Sequence, residues 1–175
     1  GSKTLTTEDA PVSREALFQS IGEQWQATED AIAAVGAKFD VPAHDNWTVG
    51  DIFRHINDSN HNTAANIRAM IATGEFPSAF TDDRNNTGVE KFKALDHKML
   101  RIELNTAHGV VWMYIQRFSD DDLAKKHSLM GTEMSLGQVL GLFAQHEAQH
   151  VATALEAAGV AASEVVPVET AHRWA

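Results

Sequence analysis

An all-α fold, an antiparallel four-helix bundle, is what the sequence predicts, and three observations predict it. Four long segments carry apolar residues at helical spacing. Strand-like alternation is weak throughout, and the segments are separated by stretches rich in Gly, Pro, Asn and Asp. At 175 residues the chain is long enough for one domain with a real core. Amphipathic helices bury their apolar stripes most simply against one another. One domain is therefore expected over residues 1–175, with Gly1-Ser2 reading as a cloning scar and 160–175 as a C-terminal tail.

The first helix is expected from about Ser13 to Lys38, on the stripe Leu17, Phe18, Ile21, Trp25, Ile32, Val35. A turn through Pro42 to Asn46 follows. The second helix starts sharply. Thr48 is a good N-cap, and Asp51 at the third helical position makes a variant of the capping box. Its stripe runs through Val49, Ile52, Phe53, Ile56, Ala64, Ile67, Met70 and Ile71, and Gly74 is a natural stop. Residues 75–88, with Pro77, Asp82, Asp83, Asn85, Asn86 and Gly88, read as a loop. The third helix is expected over Val89–Phe118 with a break near Leu95, on the stripe Leu100, Leu104, Ala107, Val111, Tyr114, Phe118. A polar stretch, Ser119–Thr132, connects to a fourth helix from about Ser135 to Ala158, capped by Gly159. The tail contains Pro167 and reads as a short strand or helix packed on the bundle.

Composition excludes several functions. A net charge of −10 without a basic cluster makes nucleic acid and anionic membranes poor partners. No apolar run is long enough to span a bilayer and no signal peptide is visible, so the cytoplasm is the expected location. The chain has no cysteine, which removes disulfides, thiolate ligands and a catalytic Cys. Any thiol chemistry needs a thiol carried in by a small molecule. Nine histidines are the ligand supply.

The most informative stretch is His146-Glu147-Ala148-Gln149-His150. Histidines four apart on a helix share one face, one turn apart, so two imidazoles can reach one ion. The flanking run Leu136, Val139, Leu140, Phe143, Val151, Leu155 puts both at or beside the apolar stripe. Buried polar rings need partners, and a shared divalent cation is an economical one. The segment also spells H-E-x-x-H, in which the Glu of a metalloprotease is general base to a zinc-bound water. A protease needs a third ligand, usually downstream, and a strand-edged cleft. Glu156, Glu164, Glu169 and His172 are downstream candidates, but no strong strand pattern surrounds the motif. Glu147 has three readings: general base, acceptor orienting an imidazole, or ordinary bundle carboxylate.

Upstream, His55 lies at the edge of the second stripe within Trp47-Thr48-Val49-Gly50-Asp51-Ile52-Phe53-Arg54-His55-Ile56. Taken alone it reads as a core histidine. A Trp, then Ser or Thr, then a helix with an apolar-His-apolar step, followed about ninety residues later by H-x-x-x-H, resembles the DinB/YfiT-like superfamily. The resemblance covers essentially the whole chain. It implies a divalent metal held by His55, His146 and His150, and transfer or isomerisation chemistry with a low-molecular-weight thiol of the bacillithiol or mycothiol type. Members of that superfamily often have Asp at the position of Glu147. His97 and His108, near the third stripe, remain candidate fourth ligands. His61, His44, His127 and His172 read as surface residues.

Three neutral imidazoles leave coordination positions open on zinc, nickel or iron. A thiol bound to such an ion loses its proton readily, and the thiolate is the nucleophile. The first reading is therefore a metal-dependent transferase or isomerase using a thiol cosubstrate. The alternatives are a metal-dependent hydrolase with Glu147 as base and a metal-binding, stress-related module without chemistry. The expected partners are a small-molecule substrate and a second copy of the chain in a homodimer. An open cleft beside the histidines favours an enzyme, and a closed site without a pocket favours the module.

Overall fold

The computed structural model of the chain describes residues 13–77 and 82–169. Four long helices form the bundle: α1 (Arg14–Val35), α2 (Val49–Thr73), α4 (His97–Ile115) and α6 (Leu136–Ala158). Between them lie α3 (Asp82–Lys91), α5 (Asp120–Ala124) and a hairpin of β1 (Lys126–Leu129) and β2 (Thr132–Ser135). No helix among the described residues is long and apolar enough to cross a membrane.

Capping chemistry fixes the helix starts. Ser13, Thr48, Asp96 and Ser135 each accept a hydrogen bond from a backbone N–H in the first turn, and Thr48–Asp51 and Ser135–Gln138 close reciprocal capping boxes. Gly74 and Gly159 end α2 and α6 in the left-handed conformation (φ 83° and 68°) that a residue without Cβ adopts freely. The first helix ends at Val35, short of the expected Lys38, and continues as a 3-10 turn over Gly36–Asp40.

Two connections hold more structure than their sequences suggest. Residues 82–91, of which 82–88 read as loop, are helical, and the long third helix is two elements, α3 and α4, separated near Leu95. Arg54 explains the break. Its guanidinium, buried beneath the segment, donates to the carbonyls of Phe92 and Leu95 and to Asp51, which also accepts from Lys93 Nζ. The supposedly irregular stretch Ser119–Thr132 contains α5 and the first hairpin strand. The hairpin turns through Met130 and Gly131, both at positive φ (52° and 80°), the pattern of a type I′ turn. Met-Gly is a weak turn signal beside Asn-Gly, and four-residue strands leave little period to detect.

The core is in two parts. One contains Ile32, Val35, Val49, Ile52, Phe53, Leu100, Leu104 and Ala154; the other Leu17, Ile21, Trp25, Ile67, Val111, Ile115, Leu136 and Leu140. α1 and α6 pass from the second part to the first, whereas α2 and α4 pass from the first to the second. α1 packs on α6 and α4, and α2 on α4 and α6. Neighbours α1/α6 and α2/α4 therefore run parallel, and α1/α4 and α2/α6 antiparallel. The segment holding α3 returns the chain along α2 so that α4 starts at the same end.

The tail forms a 3-10 turn at Ala162–Glu164 and then an extended strap. The Val168 amide donates to Asp30, Gln26 to the Val168 carbonyl, and Arg101 to the Glu169 carbonyl. His172 and the rest of 170–175 lie outside the described residues.

Candidate metal centre

His55, His146 and His150 are brought together across α2 and α6. The His55 ring lies 4.8 Å from that of His150, edge to face, and His146 and His150 are 6.2 Å apart between centroids. Trp47 packs 5.2 Å from His55 between ring centroids. His55 is buried, His150 half-buried and His146 exposed. Among the described residues no three His, Asp or Glu side chains are drawn into a finished metal site, so the three rings are neighbours rather than a closed cage.

The donor chemistry fits a divalent ion. His55 Nδ1 is buried and has no hydrogen-bond partner, a position that costs free energy unless something binds there. Its Nε2 is 3.5 Å from Ser59 Oγ, the outer limit of a hydrogen bond. Burial, reinforced by the rings of His150, His146 and His44, pushes the His55 pKa down to about 4. Burial, with His146 and His44, also holds His150 below its usual value against the opposing pull of Glu147. Both rings are thus held neutral, the form that ligates metals, and imidazole suits zinc, nickel or iron.

Glu147 faces away from these rings, into the bundle. Its carboxylate accepts from Thr28 Oγ1 and Asn60 Nδ2, both at 2.7 Å, and from His108 Nε2 at 3.1 Å. His108 is fully buried, and its Nδ1 lies 3.3 Å from Glu29, which also accepts from Asn105 Nδ2 at 2.7 Å. Trp25 stacks on the His108 ring at 4.9 Å. Each ring nitrogen of His108 thus faces a carboxylate, a setting that favours the imidazolium. Burial alone lowers its pKa, but Glu147 and Glu29 outweigh that and raise it. Burial pushes Glu147 up, yet His108, Asn60 and Thr28 outweigh it and hold the carboxyl below its usual range. This carboxylate is engaged by three donors, an arrangement that fits the bundle-carboxylate reading of Glu147 better than the general base of the H-E-x-x-H spelling. His108 is likewise an ion-pair centre, not a fourth ligand.

Every long helix contributes to this polar layer, and it lies level with the boundary between the two parts of the core. The sequence signal is a gap in each stripe. Between Trp25 and Ile32 the inward positions are Thr28 and Glu29; between Ile56 and Ala64 there is Asn60; beside Ala107 there is His108; between Phe143 and Val151 there is Glu147.

The remaining histidines serve elsewhere. His97 packs its ring edge against Phe39. His61 is half-buried and pairs with Glu103 at 3.0 Å, and His44 is exposed beside Trp47. His127 is buried against Phe76 instead of lying at the surface, because the unpredicted hairpin turns it inward. Glu156, Glu164 and Glu169 do not join the three rings.

Beside the histidines opens a cavity of about 600 Å³, within the range of small-molecule sites. His55, His146 and His150 are among its lining residues, and its walls come from the long helices and the hairpin.

The family model of the DinB superfamily matches residues 20–154. Among solved structures, YfiT from Bacillus subtilis, described as a probable metal-dependent hydrolase with an unusual four-helix bundle topology, is similar at a TM-score of 0.69 and 20% identity, over 92% of this chain and 96% of that one. A mycothiol-dependent maleylpyruvate isomerase is similar at a TM-score of 0.69 and 16% identity, over 86% of this chain and 63% of that one. At these identities the likeness is one of fold. No curated protein matches the sequence significantly. With the family model covering most of its length, the chain belongs to the DinB superfamily.

Proposed function

We propose that this chain is a divalent-metal-dependent enzyme in which His55, His146 and His150 hold the ion and a low-molecular-weight thiol is the cosubstrate for a transfer or isomerisation. The observation that carries this reading is the pairing of neutral, clustered imidazoles, one with an orphaned buried nitrogen, with a cavity that opens directly on them. A module without chemistry needs no such cavity. The absence of cysteine means that a nucleophilic sulfur must come from outside.

A divalent ion supplies acidification of a bound thiol or water. This chain's residues do the rest. His55 is set by the sharply capped start of α2 and by Trp47. His146 and His150 are set by the turn of α6 that Glu147 anchors to the other three helices. Apolar side chains make most of the cavity wall beside the histidines.

The two neighbours are described as a probable metal-dependent hydrolase and a mycothiol-dependent isomerase. The former supports hydrolysis as a second reading, but Glu147, with both oxygens engaged, is a poor base for it. The test is calorimetric titration of metal-stripped protein with Zn²⁺ or Ni²⁺, followed by thiol titration of the loaded protein. One equivalent of metal and metal-dependent thiol binding are expected. Thiol binding that ignores the metal would remove the thiol reading.

A further inference from the structure

We propose that the cavity, away from the histidines, selects an uncharged apolar body with a hydroxyl- or amide-bearing edge, and rejects an anionic group on that body. This deepens, and for the word substrate rests on, the enzymatic reading above, but the binding it describes does not require the ion.

The lining is divided. Trp25, Val111, Ile115, Leu140 and Phe143, from three helices, make an apolar wall. The hairpin adds Leu129, Met130 and Met134 at the rim. Along α2 the face is different. His55, Ser59 and Thr63 follow one another at four-residue intervals, with Asn62 beside them. Residues so spaced form one line on a helix, so a strip of neutral hydroxyl and amide groups leads from the cavity to His55. A ligand that fills this space lays an apolar flank on α4, α6 and the hairpin and a polar, uncharged edge on α2.

Charge decides the rest. Among the described residues the lining contains no Lys and no Arg. Its one carboxylate, Glu147, is committed to Thr28, Asn60 and His108. A carboxylate or phosphate on the ligand's body would be desolvated against Val111, Ile115 and Phe143 with no counter-charge. The methionines at the rim are flexible and polarisable, which suits a range of apolar shapes.

A matched pair of fluorescent probes tests this. N-phenyl-1-naphthylamine is neutral; 8-anilinonaphthalene-1-sulfonate is the same ring system with a sulfonate. Both are titrated into the full chain as purified and again with chelator present, where no ion at the histidines can draw the sulfonate, with metal content measured on the same samples. The neutral probe should bind one per chain, at least about tenfold tighter than the sulfonate. Met130→Arg, at a hairpin tip 71% exposed where the change spares the fold, and Met134→Arg should narrow or reverse the preference. Failure of the neutral probe to bind, equal or tighter binding of the sulfonate, or a preference untouched by both arginines would overturn the proposal. Neutral-probe binding in a protein unable to take metal would sink the metal-enzyme reading and leave this one standing.

Discussion

Removing the Glu147 carboxylate should lower the stability of the bundle whatever it does to chemistry. Glu147→Ala strips the acceptor from Thr28 Oγ1, Asn60 Nδ2 and His108 Nε2 at once. It leaves the fully buried His108 ring facing Glu29 alone. Breaking a buried ion pair by deleting one partner costs about 3–5 kcal/mol. For a chain of this size each kcal/mol lowers Tm by about 2–4 °C, so a fall of roughly 6–20 °C is expected. Glu147→Gln keeps the volume and one carbonyl acceptor and loses the charge, and should cost about 1–3 kcal/mol. The assay is thermal and urea unfolding at pH 7 with chelator present, so that metal plays no part. A double-mutant cycle with His108→Gln should show coupling of about 1–3 kcal/mol. If Glu147→Ala melts within about 2 °C of the parent, the network reasoning is wrong. A general base behaves oppositely, with activity lost in Glu147→Gln and the melting curve unmoved. The network also has a pH signature. The lowered carboxyl of Glu147 gives stability that is lost as pH falls through its folded pKa, and the raised pKa of His108 gives stability that is lost as pH rises through its own. The parent should therefore lose stability in both directions relative to a Glu147→Gln/His108→Gln variant.

Three further outcomes follow from other contacts. At Gly50 a Cβ would stand 2.6 Å from Phe39 Cδ2 and 2.9 Å from Arg54 Nη1; Arg54 is tied by three hydrogen bonds, so Gly50→Ala should destabilise by about 1–3 kcal/mol in urea unfolding. Burial pushes Asp51 up, but Lys93, the Thr48 amide and Arg54 outweigh it and hold it low; its stabilisation is present above its usual 3.8 and lost as pH falls through the folded value. Asp51→Asn should therefore be less stable than the parent at pH 7, and the gap in melting temperature should close in strong acid. Chelation at neutral pH should lower Tm moderately, since a ligand at 100 times its Kd adds about 2.7 kcal/mol; an unchanged Tm, with the metal shown to be gone, would mean that the ion does not brace α2 against α6.

The long helices were legible because their stripes and caps are local. Thr48 with Asp51, Gly74 and Gly159 each fix a boundary within a few residues of chain. The split into α3 and α4 was not, because Arg54, some forty residues away, sets it through the Phe92 and Leu95 carbonyls. The running directions of the helices are hidden for the same reason, since the start of α3 reads as loop in the sequence. The three histidines could be named from spacing and a family resemblance, and the fold brings their rings together. The partners of Glu147 could not, since Thr28, Asn60 and His108 come from three other helices. A polar residue in a gap of an apolar stripe announces only that a partner exists.

Whether His55, His146 and His150 hold one divalent ion is read by elemental analysis of the purified chain beside His55→Ala, His146→Ala and His150→Ala. About one metal per chain is expected in the parent, lost in each variant, with melting in chelator unchanged for the exposed His146 position. Metal retained at parental levels in the His55 and His150 variants would contradict it.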